Sequence, residues 1–207
     1  MAELTQETVD SMLVQQDMEF RTNFASTNTL LHSVIVHAPE TELLAAGTEE
    51  LRSEDPGRRI LGIRLIRELK QYSQEATTEL ARMLEAERDP EVLYWIVGAF
   101  GFLKSDLVAD RLRVLASHPN PGVRYNAATA LANCASGEIP AESLGALLTL
   151  ARDENAEVRF SAIFELGWWW KINHDSRIES ALKYAIKADN DRLVVRAAQD
   201  AMQEDDA

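Results

Sequence analysis

Five copies of one short motif divide this chain, and a chain assembled from copies folds as a stack of similar units. Asp55-Pro56-Gly57-Arg58-Arg59-Ile60 returns as Asp89-Pro90-Glu91-Val92-Leu93-Tyr94, Asn120-Pro121-Gly122-Val123-Arg124-Tyr125 and Asn155-Ala156-Glu157-Val158-Arg159-Phe160. A fainter copy is Asn190-Asp191-Arg192-Leu193-Val194-Val195, and successive starts lie 34, 31, 35 and 35 residues apart. Each copy opens on Asp or Asn, whose side-chain oxygen accepts from the free amides of a first helical turn; three continue with Pro, which that turn tolerates. Apolar residues follow at helical spacing, as in Val123, Ala127, Ala130, Leu131 and Cys134, or Val158, Ala162, Leu166 and Trp169. Each copy therefore starts an amphipathic helix.

A second helix is expected between successive copies: 40–53, 74–87, 106–117, 141–152 and 176–187. Their apolar residues are Leu80, Met83 and Leu84; Leu107, Leu112 and Leu115; Leu144, Leu147 and Leu148; Ile178, Leu182 and Ile186. No strand pattern is present, and turn chemistry such as His118-Pro119-Asn120-Pro121-Gly122 separates the helices. Two short helices cannot close a core alone, so stacking must bury the shared face. The expected fold is all-α, an α-α superhelix (solenoid) of about five two-helix repeats. Residues 1–38 lack the motif; Val9 to Phe20 and Leu30 to Val36 read as two helices of an N-terminal cap, ahead of a single continuous domain over 39–207.

The repeats resemble the HEAT family, in particular short HEAT-like repeats of the phycobilisome-lyase type, most closely over Asn120 to Leu131 and Glu157 to Gly167. The resemblance places the helix that opens with the Val-Arg pair on a concave inner face and implies a ladder in which its Arg pairs with acidic turn residues. Arg59, Arg124 and Arg159 match that position; Leu93 and Val194 interrupt it, and three of the five turn acids are Asn. The Thr-Pro-Leu-His and Trp-x-x-Leu-Gly signatures of other repeats of similar length are absent.

With the inner face so placed, positions one, five and eight after the ladder residue form an outward stripe. It reads Ile60, Arg64, Arg67; Tyr94, Gly98, Gly101; Tyr125, Thr129, Ala132; Phe160, Phe164, Gly167; and Val195, Gln199, Met202. Rings beside Gly and Ala describe a groove for an extended peptide or partner helix, with Tyr94, Tyr125, Phe160 and Phe164 at its centre. The alternative is that the rings pack on one another and seal the stack. In Trp168-Trp169-Trp170, Trp169 falls in a core register, which turns Trp168 or Trp170 toward a rim. Arg64 and Arg67 lie on the one basic helix. They read either as a clamp for an acidic group or as partners of the first 54 residues, which carry ten acids against two Arg.

The chain as a whole has 21 Lys+Arg against 34 Asp+Glu, a net charge of −13, which argues against nucleic acid. No apolar run approaches the roughly 18 residues that span a bilayer, and the expected setting is cytoplasmic. His32, His37, His118 and His174 form no metal motif, nucleotide-binding and acyl-transfer signatures are missing, and Cys134 sits in a core register. The expected function is therefore a non-catalytic module, without metal or cofactor, that binds a protein or peptide in its concave groove. Two other readings compete. One is an acidic inhibitor of a basic enzyme, of the immunity or antitoxin type; the other is a HEAT-like DNA glycosylase using Trp95, Glu165 and Arg196.

Overall fold

The computed structural model describes residues 4–22, 29–67, 69–70, 73–103, 105–135 and 138–203. No strand occurs among them, and the chain divides into two compact units, Met1–Leu103 and Lys104–Ala207. Parts of the expected cap (residues 1–3 and 23–28) and the end of the expected repeat domain (204–207) lie outside the described residues.

The first unit comprises α1 (Gln6–Thr22), α2 (Thr29–His37), α3 (Glu40–Glu50), α4 (Pro56–Ile66), α5 (Ser73–Ala86) and α6 (Pro90–Leu103). Helix α4 is its centre, packed against α3, α6 and α1. It buries Ile60, Leu61, Ile63, Leu65 and Ile66, and the helices packed on it bury Leu43 (α3) and Ile96 and Phe100 (α6). Polar contacts fix α1 on α4. The buried Gln16 amide donates to the Gly57 carbonyl at 2.8 Å and accepts from Arg64 at 3.1 Å, while Arg58 pairs with Asp10 at 2.7 Å and with Glu50 at 3.1 Å.

The second unit opens with a 3-10 turn, Asp106–Val108, and continues through α7 (Ala109–Leu115), α8 (Pro121–Asn133), α9 (Ala141–Leu150), α10 (Ala156–Asn173), α11 (Ser176–Ala188) and α12 (Arg192–Met202). Helices α8, α10 and α12 pack in series as one layer, and α7, α9 and α11 back them. Val123, Ala127, Leu131, Val158, Ala162, Leu166 and Trp169 of the first layer are all buried, as are Leu112, Leu147 and Leu182 of the second. These are tandem helix pairs stacked on a shared apolar face.

The helix starts hold together as the motif requires, with one slip. Asp55, Asp89, Asn120 and Asn155 each accept a first-turn amide, but the last cap is Asp191, not Asn190; its carboxylate takes the amides of Leu193 and Val194. The expected register of the fifth copy is therefore one residue early. Arg196 and Asp200 replace Val195 and Gln199 in its stripe. Two further expectations fail for local reasons. Ile60 is only 2% exposed, because α1 packs on α4. Leu107 is exposed and Val108 buried in its place, because Ser105 caps a 3-10 turn that rotates the segment.

The ladder is present, but its acid is not the capping residue. Arg124 donates from Nε and Nη2 to the two carboxylate oxygens of Asp153, each at 2.8 Å, and from Nη1 to the carbonyls of His118 and Pro119. Arg159 repeats this with Asp189 at 2.7 and 2.9 Å and with the carbonyls of Asp153 and Glu154. Arg59 repeats it again with Glu87 and the carbonyls of Ser53 and Glu54. In each case the acid stands two residues before the next cap and also accepts that cap's amide. Asn at the caps thus leaves the ladder intact. Where Leu93 occupies the Arg position, the following acid position holds His118, whose ring accepts the Asn120 amide instead.

Candidate functional site

Five of the eight expected binding residues lie in the second unit. On α10, Phe160 and Phe164 stack with ring centres 6.1 Å apart, and the row continues to Trp168 one turn on. Phe164 and Trp168 are 59% and 65% exposed, whereas Phe160 and, on α8, Tyr125 are half-buried. Trp170 stands off this row, half-buried with its ring edge-on to His174 at 4.9 Å, where the helix ends in a left-handed residue. Trp169 is buried as its register demands. The exposed stripe thus runs i, i+4, i+8; of the third expected positions, Gly101, Ala132 and Gly167 are buried and Arg67 and Met202 half-buried.

Beside Phe164 and Trp168 lies an open notch of about 310 Å³, lined also by Gly167, Lys171, Ala197, Asp200 and Ala201. A Cβ on Gly167 would stand 2.6 Å from that of Ala201, so α10 and α12 meet here at a distance only glycine allows. The lining thus combines small residues, the two rings and the opposite charges of Lys171 and Asp200. The side chains of Arg196 and Asp200 are 79% and 61% exposed and approach no closer than 3.7 Å. Of this set, Phe164 and Gly167 were expected on the stripe and Trp168 at a rim. Aligning Val194 with Val92, Val123 and Val158 would have given Asp200 and Arg196 from sequence.

The first unit holds Tyr94, Arg64 and Arg67. The guanidinium groups of both arginines lie over the Trp95 ring, at 5.4 and 5.8 Å from its centre, and Arg67 also lies 5.1 Å from that of Phe102. Tyr94 is exposed and meets Trp95 edge-on. Arg58 binds Asp10 and Glu50 of the acidic N-terminal segment, and Arg64 also donates to Gln16 there. Phe102, exposed and eight residues after Tyr94, was missed because the stripe was counted to i+7.

Residues 110–203 match the family model for HEAT repeats. That stretch is similar to HEAT repeats. The match falls in the second unit, and the first unit carries the same cap and Arg ladder at Asp55, Arg59 and Glu87. No curated protein matches the chain.

Within the α8–α10–α12 layer one acid is unusual. Glu165 of α10 is half-buried, and burial pushes its carboxyl up to about 7, with the Thr129 hydroxyl opposing the shift. Thr129 also meets Ser161, whose hydroxyl bonds the Tyr125 carbonyl, so a small polar cluster joins α8 to α10. A raised carboxyl favours the protonated folded state. Its contribution is full below about pH 4.5, the unfolded value, and is lost as pH rises through about 7. Glu165→Gln is therefore expected to raise Tm by several degrees at pH 8 and to change it little at pH 4.5. Thermal scans of both proteins across that range check the expectation; parallel curves would refute it.

Cys134 is buried and its thiol is pushed up to about 11 by burial, which keeps it protonated. Among the described residues, no group of three or more His, Cys, Asp or Glu side chains is placed to hold a metal ion, and no helix is long and apolar enough to cross a membrane. Of the residues considered for glycosylase chemistry, Trp95 lies under two guanidinium groups, Glu165 faces Thr129 and Arg196 pairs with Asp200.

Proposed function

We propose that the chain is a non-catalytic scaffold that holds a protein or peptide partner on the α8–α10–α12 face of its second unit. The observation that carries this reading is the exposure of Phe164 and Trp168, 59% and 65%, beside an apolar notch. Rings this exposed contribute little to the core, and aromatic anchors commonly supply about 2 kcal/mol or more each at an interface. Tyr125 and Phe160, half-buried next to them, support the wall of the face, and Trp170 is left at its end. Arg64, Arg67 and Tyr94 form a second, cationic and aromatic face on the first unit, suited to an acidic group of the partner.

The test is affinity capture from the native lysate with the wild-type chain and Phe164→Ala/Trp168→Ala as parallel baits, compared by quantitative mass spectrometry. Proteins retained by the wild type are expected to be lost from the variant, whose unfolding free energy stays within about 1 kcal/mol of the wild type. Equal retention, or a variant that fails to fold, would overturn the reading. The narrower likeness to repeats of the phycobilisome-lyase type rests on the residues of α8 and α10 alone, and no lyase chemistry follows from it. The inhibitor reading draws on the net charge of −13, which steers a basic protein toward the chain.

A further inference from the structure

We infer that a second pocket of the second unit, lined from α9, α10 and α11, binds a neutral amide group, supplied by a side-chain carboxamide or by a peptide backbone. It is separate from the ring face proposed above, so each can fail without the other. The pocket measures about 290 Å³. Its buried lining is Leu144, Ile178 and Trp169, which are 3%, 2% and 8% exposed. An indole N–H on a side chain this deeply buried ordinarily has an acceptor, yet that of Trp169 meets none among the described residues. Asn173 follows Trp169 by one turn of α10 and lines the same pocket. Its carboxamide and the Glu138 carboxylate are exposed there, and neither is hydrogen-bonded among the described residues.

The polar groups decide what this pocket can hold. An indole is a donor only, so the occupant must carry an acceptor, which a bare ammonium or guanidinium lacks. Arg177 spends Nε and Nη2 on the two carboxylate oxygens of Asp175, at 3.1 and 2.7 Å. The charge left over in the lining is therefore that of Glu138, which disfavours an anion. Glu138 and the Asn173 side-chain oxygen are acceptors in turn, and they call for a donor on the same occupant. A hydroxyl offers donor and acceptor from one atom, whereas Trp169 and Asn173 are set about 6 Å apart along the helix axis. An amide separates the two functions onto two atoms. Its carbonyl oxygen accepts from the Trp169 indole, its N–H donates to Asn173 or Glu138, and Leu144 and Ile178 offer apolar contact to its carbon atoms.

The test is a titration of the ¹⁵N-labelled full chain, followed by NMR, with butyramide and N-methylacetamide as probes. Methyl butyrate, 1-butanol, butylammonium and butyrate are run in parallel. The better of the two amides is expected to give saturable shifts at the Trp169 indole N–H and the Asn173 side-chain NH₂, with Kd on the order of 10 mM. The ester, alcohol, cation and anion are each expected to bind about five-fold more weakly or worse. Tighter binding of butyramide assigns the pocket to a side-chain carboxamide, and tighter binding of N-methylacetamide assigns it to a backbone amide. Asn173→Ala is expected to weaken amide binding by about three- to ten-fold, and because Asn173 is exposed this variant folds. Absence of a saturable shift at the Trp169 indole would overturn the amide site. So would any of the four parallel compounds matching the amides, or unchanged amide affinity in Asn173→Ala. The ring face is judged separately, by the Phe164/Trp168 capture comparison.

Discussion

Arg159→Leu is expected to lower the unfolding free energy of the second unit by about 3 kcal/mol. The side chain does four things at once: it binds both oxygens of Asp189 and caps the carbonyls of Asp153 and Glu154. Removing it leaves a carboxylate, itself 7% exposed, with backbone donors alone, and uncaps two turn carbonyls. An orphaned charge of this kind generally costs about 3–5 kcal/mol, and partial exposure of the guanidinium brings the figure to the lower end. Arg159→Lys should recover less than half, since an ammonium cannot reach all four acceptors in one plane. Adding Asp189→Asn to Arg159→Leu should restore part of the loss, and the double-mutant cycle then isolates the pair. The effect also has a pH signature. The hydrogen bond from Arg159 holds the Asp189 carboxyl below its ordinary value, so the pair's contribution is complete above about pH 4 and disappears as pH falls through the depressed value. Urea titrations of wild type and variant at pH 7 and near pH 3 check this; a loss under about 1 kcal/mol at pH 7 would show that the ladder is ornamental.

Helix starts were legible because capping is local chemistry. Asp or Asn followed by Pro specifies a first turn whatever packs on it later, and four of five starts came out at the residue expected. The fifth slipped because Asp189, Asn190 and Asp191 can all cap, and only the buried Val194 settles which one does. The ladder was legible for its arginines and not for its acids. Their position two residues before the cap is fixed by a bond to the cap amide, but Ser53, Glu87, His118, Asp153 and Asp189 all fill it, so no single residue type marks it in the chain. Burial of Ile60 was invisible for another reason: α1 belongs to a segment without the repeat, so no register could place it on α4. The rings of α10 were found from the repeat register together with the face that the family resemblance implied. The notch beside them was not, because its floor depends on the contact of Gly167 with Ala201, two residues that carry no chemistry when read singly.

Gly62→Ala should destabilise the first unit by about 3 kcal/mol, although alanine is normally the better helix former by about 1 kcal/mol. The sign reverses because α3 and α4 cross at Gly47 and Gly62. A Cβ at position 62 would stand 2.7 Å from the Gly47 carbonyl oxygen and 2.9 Å from the Leu51 nitrogen, both backbone atoms that no rotamer change can move. The helices must part, which loosens the core around Leu43, Ile63 and Ile66. Position 47 is the informative contrast. There a Cβ meets the Ile66 side chain, whose Cγ2 would lie at 2.2 Å, so that clash can be relieved by shortening the neighbour. Gly47→Ala/Ile66→Ala should therefore recover stability relative to the sum of its single variants, whereas Gly62→Ala has no side-chain partner whose trimming restores it. Chemical denaturation that holds m constant reads both; a neutral or stabilising Gly62→Ala would mean that α3 and α4 are not in this contact. Because α4 carries Arg64 and ends at Arg67, its C-cap, parting the two helices should shift the Trp95 emission as the arginines leave its ring. In that way a backbone contact inside the first unit would set the stacking of Arg64 and Arg67 on Trp95.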